Sequence, residues 1–304
     1  MDNQFQAFDS RCKFGGKYFP SPIFTASGCA GSGKELSQFF DLDELGAVVT
    51  KSISVKPRSG RATPRMAETP SGMLNSIGLQ GPGIDQFLAE DISWLIANNA
   101  RVIVSISGET IEEYASLARK LRGVAGISGI EVNISCPNVE NRGLVFACDP
   151  VASRSVVESV RRNVGGELPI IVKLSPDVTD IVSIAGEVIS AGADGLALIN
   201  TLLGMAIDID AMRPKLAGKT GGLSGPAIRP VAVRAIYQVH AAFKNTPILG
   251  MGGVTSGRDA LELIMAGASA ISVGTANFGD PTAVTRIKKE LIELLKERKF
   301  NSVA

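Results

Sequence analysis

Short apolar runs rich in β-branched residues recur at residues 22–26, 47–53, 101–106, 129–134, 170–174, 195–200, 247–251 and 270–273. Each run is nearly continuous in apolar character, the pattern of a strand covered on both faces rather than one with a wet side. Between most of them the apolar positions change to helical spacing, at residues 111–121, 151–164, 181–191 and 258–266. Strands alternating with helices predict a parallel sheet with the helices packed against it. Eight such units in roughly 250 residues are the count and size of an α/β (β/α)8 TIM barrel, which the tally favours over a doubly wound open sheet.

The punctuation agrees. Asp280-Pro281 predicts an N-cap and a first-turn proline for a last helix running through Ile287, Leu291, Leu294 and Leu295. Ala266-Gly267 reads as a glycine stop at a helix C-terminus. Residues 12–19 read as a small N-terminal hairpin around Gly15-Gly16. No stretch has the composition of a linker, so residues 1–304 are expected to form one domain.

In such a barrel, function sits where the strands end. Two connections there are long. Residues 54–83 carry prolines and glycines with little periodicity, and residues 202–225 are read as holding a short strand pair. Loops of that length in a compact domain are usually functional.

Composition narrows the chemistry. With 45% hydrophobic and 20% charged residues the chain can bury a large core. Its 31 basic and 30 acidic side chains leave a net charge of +1, without the footprint of a nucleic-acid or anionic-membrane binder. The first residues lack the basic start and apolar core of a signal peptide. No apolar stretch approaches the ~18 residues that span a bilayer. A soluble, cytoplasmic protein is the expectation. Cys12, Cys29, Cys136 and Cys148 contain no CxxC pair and meet no histidine cluster, so no metal site is expected and the thiols should stay reduced.

The candidate chemistry centres on Asn133-Ile134-Ser135-Cys136-Pro137-Asn138, at the end of the fourth predicted strand. A thiol flanked by two carboxamides can take a proton from a planar polar ligand that the amides orient. By itself Cys136 would pass for an inert buried cysteine. The only histidine, His240, lies in a helical pattern away from every glycine-rich loop and reads as a surface or packing residue. The usual general base is therefore not on offer.

Lys51 and Lys173 end the second and fifth strands. Lysine is seldom buried without a partner, and two at ligand-facing ends point to an anionic or electron-rich ligand. Glycine clusters at residues 220–226, 250–254 and 273–275 expose backbone N–H groups where barrels commonly bind phosphate. No GxGxxG follows the first strand, which argues against a Rossmann dinucleotide site. Asn75, Asn133, Asn138 and Asn200, with Thr201, suit a ligand bearing several carbonyl and N–H groups.

An ordered set of motifs across nearly the whole chain resembles dihydroorotate dehydrogenase of the soluble class 1. It comprises Ala26-Ser27-Gly28-Cys29, Thr50-Lys51-Ser52, Asn75-Ser76-Ile77-Gly78-Leu79-Gln80, residues 133–139 and Val172-Lys173-Leu174-Ser175-Pro176. It continues with Asn200-Thr201-Leu202-Leu203-Gly204-Met205, residues 221–226, Gly252-Gly253-Val254 and Val273-Gly274-Thr275. The runs at 200–205 and 220–226 are most similar to class 1B, the catalytic FMN subunit.

The resemblance implies oxidation of dihydroorotate to orotate in pyrimidine biosynthesis, with Cys136 taking the C5 proton while a hydride leaves C6 for flavin N5. Lys51 would contact the orotate carboxylate and the flavin. Asn75, Asn133, Asn138, Asn200 and Thr201 would hold the pyrimidine edges, with backbone from Ile77, Gly78 and Leu79. Ser27, Lys51, Ser52, Ser105, Asn133, Lys173, Ile199, Gly225, Gly252, Gly253, Gly274 and Thr275 would bind FMN, Lys173 stabilising charge on the reduced ring. Residues 137–149 would close over the substrate. A separate subunit with FAD and an iron–sulfur cluster would pass electrons to NAD, around a homodimer of catalytic subunits in a heterotetramer. Ser105 stands where the family has an asparagine, Ala206 where it has an arginine, and Phe146-Ala147-Cys148 where it has a Phe-Gly-Thr-like run. The residues by themselves also leave open another dihydropyrimidine-oxidising flavoenzyme, a fumarate-dependent class 1A-like enzyme, a Schiff-base aldolase on Lys173, or a catalytically silent barrel.

Overall fold

The structure is a computed structural model that describes residues 8–135, 146–166 and 168–303. Eight parallel strands form the barrel: β1 Ile23–Thr25, β2 Val48–Val49, β3 Val102–Ile106, β4 Ile127–Asn133, β5 Ile170–Lys173, β6 Gly195–Leu198, β7 Ile248–Met251 and β8 Ala270–Val273. Their order in the sheet is β1-β8-β7-β6-β5-β4-β3-β2. Backbone bonds from Gly46 N to Ile23 O (2.8 Å) and Thr25 N to Ala47 O (3.2 Å) join β1 to β2 and close the ring. The predicted (β/α)8 barrel is therefore the observed one.

Each strand falls where the apolar runs put it, with one shortening. β2 was expected over residues 47–53 but keeps regular pairing only at Val48–Val49. Beyond it the Thr50 side-chain oxygen accepts from Ser105 N (3.2 Å), interposing a hydroxyl in the β2–β3 ladder, which resumes as Ile53 N to Ser105 O (2.8 Å).

Amphipathic helices cover the outside: α1 Ile92–Ala97, α2 Ile111–Leu121, α3 Pro150–Val164, α4 Ile181–Ser190, α5 Arg229–Ala242, α6 Gly257–Met265 and α7 Ala283–Glu297. Thr110, Asp149, Asp180 and Ser256 cap α2, α3, α4 and α6 by accepting from first-turn N–H groups. α6 stops before Ala266-Gly267, as predicted. The last helix begins later than Asp280-Pro281 implied. Pro281 lies in a turn closed by Ala283 N to Asp280 O (2.9 Å), and the Asp280 carboxylate steadies α7 from outside by accepting from Thr282 N (2.9 Å) and Arg286 Nε (2.8 Å). The β1–β2 connection carries only two 3₁₀ turns, Leu36–Gln38 and Leu42–Glu44. Among the described residues, no helix is long and apolar enough to cross a membrane.

The two long connections are not loose. The β2–β3 connection forms a hairpin, Met66–Thr69 with Gly72–Asn75, and the β6–α5 connection contributes Leu202–Met205 and Thr220–Ser224. All four strands pair into one antiparallel sheet, with Gly72–Asn75 and Thr220–Ser224 at its centre. Periodicity alone missed the first hairpin because its strands are short and only partly buried.

Inside the barrel the lower layer is apolar: Phe24, Val49, Ile103, Ile171, Ala197, Leu249 and Ala270. The predicted N-terminal hairpin, Cys12–Phe14 paired with Lys17–Phe19, reaches this layer from the strand starts. Phe14 meets Phe24 edge-on at 6.1 Å between centroids, and Phe19 lies 4.9 Å from Phe24. Buried beside them, Cys12 donates to Ser21 O (3.4 Å), and burial pushes its thiol up to about 12. The hairpin thus plugs the bottom of the barrel. Phe14→Ala should cost about 3–5 kcal/mol, the usual loss for truncating a buried phenylalanine. Urea denaturation of the two proteins, compared at constant m-value, measures it.

Candidate active site

A strand sends successive side chains to opposite faces, so the residue two positions beyond an inward apolar one also points inward. Beyond Ile103 on β3 that residue is Ser105, and beyond Ile171 on β5 it is Lys173. β4 supplies Glu131 and Asn133 in the same phase. The register sets Ser105 opposite Glu131 and Asn133 opposite Lys173. A polar layer therefore rests on the apolar plug, and all four of its residues are buried.

The layer is wired together. Ser105 Oγ donates to Glu131 Oε1 (2.8 Å) and pairs with Ser52 Oγ (2.9 Å). Ser52 Oγ also accepts from Asn133 Nδ2 (3.0 Å) and meets Ser27 Oγ (3.2 Å). The other end of the Asn133 amide accepts from Ser135 N (3.2 Å) and Oγ (3.0 Å). Asn200 Nδ2 donates to Ser135 Oγ (2.8 Å) and O (3.1 Å), and Tyr114 Oη donates to Asn133 O (2.8 Å) from outside the barrel. Both amides are thereby fixed before any ligand arrives.

Above this layer, between the barrel mouth and the antiparallel sheet, lies a cleft of two joined lobes. One has a volume of about 430 Å³ and is walled by Gly225, Gly252, Gly253, Gly274 and Thr275, with Ile199. The other, of about 340 Å³, is lined by Lys51, Ser52, Asn75, Ile77, Leu79 and Asn133. Ser27, Lys173, Asn200 and Thr201 border both, so the lobes meet over the Lys173 ammonium. Asn75 reaches the cleft from the sheet, where its Nδ2 donates to Gly222 O (3.3 Å).

The glycine-walled lobe fits a phosphate group. Gly253 has φ +76°, and a Cβ there would lie 2.7 Å from Arg229 Cβ, so only glycine leaves the loop room beside α5. Arg229 does not supply the lobe's charge, because Asp259 (2.5 Å) and Glu262 (3.0 Å) engage its guanidinium. Binding there falls to backbone N–H groups. The opposite lobe supplies charge through Lys51, whose ammonium would lie 3.3 Å from a Cβ at Gly28 (φ +86°).

Most of the expected site residues converge here. Two do not face the cleft: Gly78 lies behind Ile77 and Leu79, and Ser105 lies beneath Ser52, in contact with it and Glu131. Cys136 and Asn138 lie outside the described residues, as do residues 137–145 of the expected lid. The end of that lid is anchored, since Phe146 packs edge-on to Tyr114 at 5.9 Å and Ser153 Oγ donates to Phe146 O (2.6 Å). Cys29 and Ser224, quoted in the motifs without a site role, border both lobes, as do Met73 and Phe278, which sequence reasoning passed over; Ser135, likewise quoted without a role, and Glu131 lie beneath them. An acid inside an apolar strand run was a visible signal for Glu131. Burial pushes the Cys29 thiol up, partly offset by the charges of Lys173 and Lys51. His240 is half-buried and packs against Gly267, remote from the cleft, as its pattern implied.

A closed barrel that joins a glycine-walled lobe fit for a phosphate to an amide- and lysine-lined lobe has the layout of enzymes that hold a phosphorylated planar cofactor against a small polar substrate. The chain belongs to the dihydroorotate dehydrogenase family, whose profile matches residues 10–295. That family is flavin-dependent. The chain is 52% identical over 284 residues to the dihydroorotate dehydrogenase B (NAD(+)) catalytic subunit of Geobacter sp. (strain M21), covering 93% of this chain and 92% of that protein. It is 50% identical over 289 residues to the protein of the same name from Pelobacter propionicus, covering 95% and 94%. The Desulforudis audaxviator protein of that name is 49% identical over 283 residues, covering 93% and 91%. The aldolase and silent-barrel readings lapse with this membership.

The phosphate lobe depends on Asp259, which accepts from Thr255 N (2.9 Å) and Oγ1 (2.8 Å) and so holds the loop after Gly253. Burial raises its carboxyl, but bonds from Thr255 and Ser256 and the charge of Arg229 outweigh it, leaving the group below its ordinary value. A depressed acid stabilises the fold above its unfolded pKa and loses that contribution as pH falls through the folded one. Asp259→Asn should therefore cost about 1–3 kcal/mol at pH 7, the cost of leaving a buried donor or acceptor unsatisfied. The deficit should stay level down to about pH 4, the unfolded value, and shrink below it. Denaturant midpoints at several pH values test this.

Proposed function

We propose that the protein is the catalytic subunit of an NAD-linked dihydroorotate dehydrogenase, oxidising (S)-dihydroorotate to orotate with FMN in the cleft. The observation that carries this reading is the meeting of the glycine-walled lobe with the amide-lined lobe at Lys173. One lobe suits the phosphate and the other suits a pyrimidine edge, so cofactor and substrate would be neighbours. FMN supplies, when bound, the hydride acceptor for C6 of the substrate.

The chain's own residues do the rest. Lys51 balances the substrate carboxylate at the outer lobe. Asn75, Asn133, Asn138 and Asn200, with Thr201, pair with the carbonyl and N–H edges of the pyrimidine. The amides of Asn75, Asn133 and Asn200 are oriented in advance by Gly222, Ser52 and Ser135, which lowers the ordering cost of binding. Cys136, as thiolate, takes the C5 proton. A thiol ordinarily titrates near ~8.5, close enough to neutrality for that task when its surroundings favour the anion. Backbone N–H groups around Gly225, Gly252, Gly253, Gly274 and Thr275 hold the phosphate.

Electrons then leave through a partner subunit carrying FAD and an iron–sulfur cluster, around a homodimer of catalytic chains in the cytoplasm. What supports this is the naming of relatives about half identical to the chain as NAD(+)-dependent catalytic subunits.

The purified protein should be yellow, release FMN on denaturation, and bleach anaerobically with dihydroorotate. Cys136→Ala should keep the flavin and slow its reduction by about 10²–10⁴-fold at neutral pH, the usual contribution of a positioned base. Stopped-flow absorbance measures the rate, and a wild-type rate in the variant removes Cys136 from the mechanism.

A further inference from the structure

Glu131 is a carboxylic acid with no exposed surface at the centre of the barrel, one layer below the cleft. Its Oε1 accepts from Ser105 and lies 3.8 Å from Lys173 Nζ. Among the described residues, its Oε2 has no hydrogen-bond partner. An acid buried with so few donors is costly, and evenly packed apolar side chains would fill the same space. Its one strong compensation is the Lys173 ammonium, itself 5% exposed.

The separation is informative. At 3.8 Å the carboxylate lies beyond hydrogen-bond reach of Nζ. It offsets the charge of Lys173 across a low-dielectric gap without taking up the donors, which stay available to the cleft above. The hydroxyl chain adds a second effect. Ser105 has one proton, and Glu131 receives it. Ser105 must then accept from Ser52, so Ser52 accepts from both Asn133 Nδ2 and Ser27. One buried carboxylate thus orients every hydroxyl in the row. Ser27, which borders both lobes, is left with only lone pairs to turn toward a ligand.

We propose that Glu131 is a positioning residue that sets the redox potential of the bound flavin, by partly neutralising Lys173 and by orienting the Ser105–Ser52–Ser27 hydroxyl row. The proposal rests on the flavin reading above. Ser105, expected to touch FMN itself, acts in this account through Ser52 and Glu131. The sign follows from charge. Removing the negative charge under Lys173 leaves the ammonium uncompensated and favours the reduced, more negative flavin.

The test is spectroelectrochemical titration of the FMN-loaded chain. Glu131→Gln keeps the side-chain size and the Ser105 contact while removing the charge. It should raise the midpoint potential by about 30 mV or more, a tenfold change in the oxidised-to-reduced ratio for a two-electron couple. Val132→Ala, a cavity in the same strand facing the helices, should leave the potential unchanged. Should Glu131→Gln not fold, Ser105→Ala carries the test: it removes the acceptor below Ser52, releasing the Ser52 and Ser27 hydroxyls to donate toward the cleft, and the potential should move in the same direction by less. Flavin-loaded variants at the wild-type potential overturn the proposal and leave the functional reading intact. A wild-type chain that binds no FMN overturns both.

Discussion

The site depends on one constraint, the two-residue pleat of strands in a closed ring. Because the ring closes through Gly46 and Thr25, each strand has a fixed inside, and the inward positions stack in layers. Ile103, Ile171 and Ala197 make a dry layer, and Ser105, Glu131 and Lys173 make a polar one directly above it. A register slip of one residue would send Lys173 out among the helices and bring Val172 inside. The aromatic plug beneath, anchored by Phe14 and Phe19 on Phe24, keeps that layer from reaching water at the bottom. The polar groups consequently face one way only, toward the mouth.

At the mouth the fold keeps two chemically different lobes side by side. One lobe is walled by loops that end β7 and β8, where glycine lets backbone approach closely and Arg229 is held by acids. The other lobe presents the amides of Asn75, Asn133 and Asn200, whose ends are tied by serines or backbone. Lys173 borders both, so one buried charge is shared between the halves, and Glu131 lies 3.8 Å from its ammonium.

Much of this was legible along the chain. The eight strands were visible because each must be apolar on both faces, and the lysines and glycine clusters stood out because those residue types are out of place in such strands or at their ends. The motifs also pointed to the family before any contact was known. The Met66–Asn75 hairpin was not legible. Its strands are short, and their partner at Thr220–Ser224 lies some 150 positions away, so no local period marks it. Nor was the place of Ser105, which borders neither lobe and pairs with the Ser52 hydroxyl and the Glu131 carboxylate.

The sequence by itself determined the barrel, the strand ends that carry chemistry and the family, because burial pattern and residue type are local properties. Tertiary structure alone decided which polar groups touch. Glu131 and Lys173 are 42 positions apart in the chain and meet because adjacent strands bring them into one layer. Donor direction along Ser27, Ser52 and Ser105 is likewise set by the Glu131 carboxylate on β4, since a hydroxyl has one proton and its neighbours decide where it goes.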